Sequence, residues 1–79
     1  MMNKRKENES KFRNWKETEE GERIYWYRVE GKFGYYAHYI KAVDKNEVTL
    51  KFYQEIYNFD GNLVEIHEKY PIDKGHRKL

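Results

Sequence analysis

Apolar and polar residues alternate with a period of two on both sides of Asn58-Phe59-Asp60-Gly61, across residues 48–70 (VTLKFYQEIYNFDGNLVEIHEKY). Successive strand side chains point to opposite faces, so this alternation around a turn sequence predicts a β-hairpin. A type I turn closed by Gly61 in the left-handed region sets Asn58 opposite Asn62, Ile56 opposite Val64 and Gln54 opposite Ile66. A strict two-residue Asp60-Gly61 turn would set Ile56 against Glu65 and mix core with charge, so the bulged register is the expected one.

Two more strands precede this hairpin. Arg23–Glu30 (RIYWYRVE) is rich in β-branched and aromatic residues, and Gly31-Lys32 suits a two-residue turn into a strand over residues 35–43. That turn pairs Trp26 with Ala37, Tyr25 with His38 and Ile24 with Tyr39. A Lys45-Asn46 turn then sets Val43 against Val48, Tyr39 against Phe52 and His38 against Tyr53; a three-residue loop would shift this pairing by one. The last strand ends at Pro71, which cannot donate to a ladder.

The expected fold class is therefore mainly β: a four-stranded antiparallel meander, free to curl toward a small barrel, with an N-terminal segment packed over one face. That segment, carrying Phe12 and Trp15, reads equally as a short helix capped by Ser10 and stopped by Gly21 or as an extended arm. Residues 1–10 (MMNKRKENES) offer no apolar face and are expected to be disordered or loosely attached. Residues 11–72 form the single β-rich domain, and residues 73–79 a basic tail.

Composition adds limits. A chain of 79 residues has room for one core, and 38% hydrophobic content, 18% aromatic content and a mean hydropathy of -1.23 require that core to be small and built from rings. The absence of cysteine removes disulfides, thiolate metal sites and cysteine nucleophiles. No signal-like or bilayer-length apolar run is present, so the expected location is cytoplasmic, with no membrane partner. The net charge of +2 is carried at the two ends of the chain, which leaves the sheet body slightly acidic. A weak basic footprint of this kind gives only limited support to nucleic-acid binding.

With these registers Ile24, Trp26, Ala37, Tyr39, Val43, Leu50, Phe52, Ile56, Val64 and Ile66 share the inner face. The outer face carries a row of Tyr25, His38, Tyr53 and His67, bordered by Tyr36, Tyr57, Lys51 and Lys69. Such rings also make good strands with no further role. As a binding face, Tyr25, Tyr36, Tyr53 and Tyr57 would stack on single-stranded RNA, with Lys51, Lys69 and Arg77 at the phosphates and His38 and His67 between them. Glu55 and Glu65 would oppose phosphate there. A protein partner is the companion reading, and open edges on the strands at 23–30 and 63–70 would allow a homodimer.

The alternative is metal-independent RNA cleavage with His38 and His67 as base and acid, or Tyr53 as the acid. A metal site from His38, His67, Glu55 and Glu65 lacks the usual ligand spacing, and His76 reads as a solvated tail residue. No phosphate loop, nucleophile elbow or coenzyme fingerprint is present, so no cofactor is expected.

Overall fold

Each hairpin read from the alternation is present, and the chain adds one strand at either end. The computed structural model describes residues 3–79. Its strands are β1 (Asn14–Glu17), β2 (Arg23–Glu30), β3 (Tyr36–Val43), β4 (Thr49–Tyr57), β5 (Leu63–Tyr70) and β6 (Gly75–Lys78), joined in sequence order into one open antiparallel sheet. The fold is thus mainly β, as expected, with six strands rather than four and no closure into a barrel. The edges expected on β2 and β5 are occupied: β1 pairs with Arg23 to Trp26, and β6 pairs with Glu65 to Glu68. The new edges are four residues long, which limits edge-to-edge association.

Three of the turns share one design. In Thr18-Glu19-Glu20-Gly21-Glu22, Asp44-Lys45-Asn46-Glu47-Val48 and Asn58-Phe59-Asp60-Gly61-Asn62, the first backbone N–H bonds the fifth carbonyl at 2.8, 3.0 and 3.0 Å. The fourth residue lies in the left-handed region, with φ of 87°, 64° and 83°. The fifth N–H donates to the first side chain each time, at Thr18 Oγ1, Asp44 Oδ1 and Asn58 Oδ1. A type I turn with a closing left-handed residue accounts for all three. The Asn58–Asn62 turn is the one the sequence predicted. At residues 44–48 the two-residue Lys45-Asn46 turn gives way to the three-residue loop.

The β2–β3 link is longer than expected. Gly31 is extended, and Lys32–Gly34 forms a single 3-10 turn in which Phe33 and Gly34 have positive φ. Gly34 is fixed twice over, since a Cβ there would stand 2.9 Å from the Phe59 Cβ. Val29 consequently pairs with Ala37, Tyr27 with Tyr39 and Trp26 with Ile40. This is an odd shift from the expected pairing, so it turns β2 over relative to β3.

In the central hairpin His38 pairs with Glu55, Tyr39 with Gln54 and Lys41 with Phe52, after a bulge at Leu50. The shift there is even, and its faces are the expected ones: Phe52 with Tyr39 on one, Tyr53 with His38 on the other. Beyond the Asn58 turn a bulge at Val64 sets Ile56 opposite Glu65, and another at Lys69 sets Phe52 opposite Tyr70. The Val64 bulge turns Glu65–Glu68 over as well, and the Lys69 bulge turns Tyr70 back.

The N-terminal segment, expected to be loose over residues 1–10, is helical from Lys4 to Phe12 (α1); residues 1 and 2 lie outside the described residues. Asn3, not Ser10, is the cap, accepting the Lys6 N–H at 2.9 Å, and the helix ends at Arg13 in the left-handed region. Trp15 is in β1, and Gly21 closes the β1–β2 turn rather than the helix.

The helix covers one end of one sheet face. Phe12, 1% exposed, packs with buried Tyr25 and Val43, and Tyr27 and Phe52 lie against them. Apart from Phe12, the helix is held by polar contacts. Arg23 bonds Glu9 at 2.6 Å, Lys41 bonds Asn8 Oδ1 at 2.9 Å, and Arg5 bonds Glu47 at 3.0 Å. Among the described residues no helix is long and apolar enough to cross a membrane.

Candidate binding face of the sheet

The helix leaves the opposite face of the sheet open, and six of the expected binding residues, Tyr36, His38, Lys51, Tyr53, Tyr57 and Arg77, lie there. Tyr36 and Tyr57 stack with ring centroids 5.0 Å apart and planes 9° apart, and His38 sits 5.6 and 5.3 Å from them. The Arg28 guanidinium lies 3.9 Å over the Tyr36 ring and is also bonded to Glu30 at 2.6 Å. Toward the other end, the Lys51 ammonium lies 5.1 Å from the Tyr53 ring centroid. Between these two groups is a hollow of about 310 Å³ lined by Lys16, Ile24, Trp26, His38, Ile40 and Tyr53. Ile24 and Trp26 were expected in the core. The turned β2 instead gives them to this face.

Charge on this face is distributed favourably for an anion. Lys51, Lys74 and Arg77 all converge on the single Glu68 carboxylate, at 3.8, 3.2 and 3.5 Å. Three cations sharing one carboxylate leave this corner positive. The Lys74 hydrogen bond foremost, and the surrounding cations after it, hold the Glu68 carboxyl below its ordinary value. Glu65, expected to repel phosphate here, is on the helix side, opposite Ile56 and Lys78. Glu55 remains on the open face, where it accepts the Tyr57 hydroxyl at 3.1 Å. Burial first, then the Glu55 charge and this hydrogen bond, push the Tyr57 phenol up to about 12. Burial and Glu55 raise Tyr53 too, so its hydroxyl is a weaker proton donor than an ordinary phenol.

Three of the expected site residues are elsewhere. Tyr25 is wholly buried under the helix. Lys69 lies over the Tyr39 and Phe52 rings of the helix side, at 4.9 and 5.8 Å. His67 pairs with Gln54 on that same side, so the two imidazoles meant to flank Tyr53 lie on opposite faces. The acid–base pair of His38 and His67, and the metal set of His38, His67, Glu55 and Glu65, are therefore not assembled. Among the described residues no group of three or more metal-ligating side chains is placed to hold an ion.

His67 has a different partner, one that sequence reasoning set aside as tail. Its Nδ1 is 3.1 Å from His76 Nε2, its Nε2 is 2.7 Å from Asp73 Oδ1, and His76 Nδ1 is 3.3 Å from Glu65. Both ring nitrogens of His67 are engaged in this chain of four groups, and the arrangement fastens β6 to β5. The available signal was residues 75–78 (GHRK), which could reach His67 only after a turn at Pro71.

No protein-family model, curated protein or solved structure matches this chain.

Proposed function

We propose that the chain is a binding module for single-stranded nucleic acid, with RNA as the preferred ligand, and that the open face of the sheet is the contact surface. The observation that carries this reading is the pairing of an aromatic hollow with a cationic corner. Trp26 and Tyr53 flank a recess of about 310 Å³, beside which Lys51, Lys74 and Arg77 share one carboxylate. A base inserted beside Trp26 or Tyr53 gains stacking of roughly 1–3 kcal/mol, and its phosphates face the unneutralised cations. Tyr36 is less suited to stacking than the sequence suggested, because Arg28 and Tyr57 already occupy its two ring faces.

The test is fluorescence anisotropy with labelled single-stranded RNA and DNA oligonucleotides, repeated with Trp26→Ala and Tyr53→Ala. Binding that weakens about tenfold in each variant and falls steeply with salt supports the reading. Binding indifferent to both substitutions overturns it.

One observation favours a protein partner as the second reading. Phe33 and Phe59, 89% and 70% exposed, project from neighbouring loop tips and line a shallow recess with Tyr35 and Lys32. Exposed rings grouped at one recess are typical anchors of protein interfaces. Phe33→Ser with Phe59→Ser abolishing self-association in sedimentation, while oligonucleotide binding is absent, would favour this second reading.

A further inference from the structure

On the helix side, between α1 and the β3–β4 turn, a cleft of about 570 Å³ opens beside the rings of Phe52 and Tyr70, with buried Phe12 at its base. Its volume is within the range of small-molecule sites, roughly 300–1,000 Å³. Three lysines line it: Lys4, Lys11 and Lys41. Among the described residues none of the three lies within 4.0 Å of a carboxylate, whereas Arg5 and Arg23 nearby both do. The Lys11 and Lys41 ammoniums are 5.7 and 6.0 Å from the Phe12 ring centroid, so both stand over the same part of the cleft.

Lys41 is the most constrained of the three. Its ammonium donates to Asn8 Oδ1 at 2.9 Å, and Asn8 is fixed in turn by donating to Glu47 at 3.0 Å. An ammonium has three donors, so two remain for a ligand. Burial foremost, and then the neighbouring Lys11 and Lys4 charges, lower its proton affinity, and the Glu47 and Glu7 charges do not make up the loss. Glu47 offsets part of this, but its oxygens already accept from Arg5, Asn8 and Tyr25 and are not free to bond the ammonium. Glu7 is the remaining carboxylate of the cleft.

We infer that this cleft binds a small organic anion with a planar ring, a phosphomonoester of nucleotide size being the class that fits: phosphate oxygens on Lys11 and Lys41, the ring against Phe52 and Tyr70. Phosphate matches a cluster of ammoniums, and the apolar side of the cleft matches a flat ring. The site is on the opposite side of the sheet from the face proposed for nucleic acid and does not rest on that reading.

The experiment is an NMR titration of the full chain with adenosine 5'-monophosphate, and separately with adenosine and with inorganic phosphate. Saturable shifts confined to the amides of Asn8, Phe12 and Thr49, with a Kd below about 1 mM, are expected. Lys41→Met and exposed Lys11→Glu should each weaken binding about tenfold, the effect of losing one charged hydrogen bond. Adenosine alone and phosphate alone should each bind at least about tenfold more weakly, because each lacks one half of the contact. Absence of saturation, equal binding by Lys11→Glu, shifts on Trp26 and Tyr53 instead, or phosphate binding as tightly as the nucleotide would overturn the inference.

Discussion

The Tyr25 hydroxyl donates to Glu47 at 2.9 Å, inside the joint between helix and sheet. The same carboxylate accepts from Asn8 at 3.0 Å and from Arg5 at 3.0 Å, so an acid only 7% exposed ties together β2, the β3–β4 turn and α1. Burial pushes the Glu47 carboxyl up, but the hydrogen bonds from Asn8, Tyr25 and Arg5 outweigh it and leave the group below its ordinary value. Its backbone is the cost of this arrangement. Two of the three matching turns place glycine in the left-handed position, and the third places Glu47 there.

That conflict predicts an ordering. Glu47→Ala removes three hydrogen bonds and keeps the strained backbone, so it should destabilise the fold by roughly 2–4 kcal/mol. Glu47→Gly removes the same bonds but relieves the left-handed strain, and should recover about 1 kcal/mol of that loss. Urea denaturation of the three proteins measures the difference. Equal stabilities for the two variants would mean the backbone at residue 47 stores no strain.

Phe12 is the sole large apolar side chain of α1, and it is packed against the rings of Tyr25, Tyr27 and Phe52 at centroid distances of 5.8, 5.3 and 6.4 Å. Phe12→Ala should cost about 3–5 kcal/mol. A domain this size has little more than that in total, so the expected outcome is a helix released from the sheet, read as lost helical circular dichroism at 25 °C. Retention of the helical signal would show that the Arg5, Arg23 and Lys41 contacts hold α1 without the ring.

The turn between β4 and β5, though not the register beyond it, was legible because it carries a glycine where the backbone needs one. Asn58-Phe59-Asp60-Gly61 announces its own geometry, while Asp44-Lys45-Asn46-Glu47 folds into the same shape around a glutamate and so conceals it. The Gly31-Lys32 dipeptide misled in the opposite sense, since Gly34, pressed against Phe59, is the glycine that turns the chain. A single miscounted loop or bulge inverts a strand; between β3 and β4 the longer loop and the Leu50 bulge cancel, which is why Tyr36, His38, Tyr53 and Tyr57 were grouped correctly and Tyr25 and His67 were not. The helix was read as loose because its attachment is polar: Glu9, Asn8 and Arg5 carry no hydrophobic period for a sequence pattern to detect. β6 was missed for the same reason, being joined by backbone bonds and imidazoles rather than apolar side chains.

The placement of the two glutamates on β5 distinguishes one face from the other. Glu68 holds Lys51, Lys74 and Arg77 on the open face, whereas Glu65 contacts His76 on the helix side. Glu68→Gln frees three cations and should tighten oligonucleotide binding by roughly threefold to tenfold at low salt, with a steeper salt dependence. Glu65→Gln should leave both unchanged. Anisotropy titrations at two salt concentrations decide the matter, and an equal response to the two substitutions would remove the open face as the contact surface.

The chain of Asp73, His67, His76 and Glu65 makes β6 sensitive to acid. The Asp73 carboxylate is the anchor of this chain, 2.7 Å from His67 Nε2 and accepting the Gly75 N–H at 2.9 Å. The Gly75 N–H and then His67 hold its carboxyl below its ordinary value of 3.8, with Lys69 adding to the effect. A depressed acid contributes stability that is complete above its unfolded value and is lost as pH falls through its lower folded value. Acidification should therefore release Gly75–Lys78 before the central strands, seen as early loss of amide protection there while Tyr39 and Phe52 stay protected. Asp73→Asn, which keeps an acceptor beside Gly75 and His67 but carries no titrating carboxyl, should abolish the early release. Simultaneous loss of protection in β4 and β6 would show that the four groups hold nothing that the sheet does not already hold.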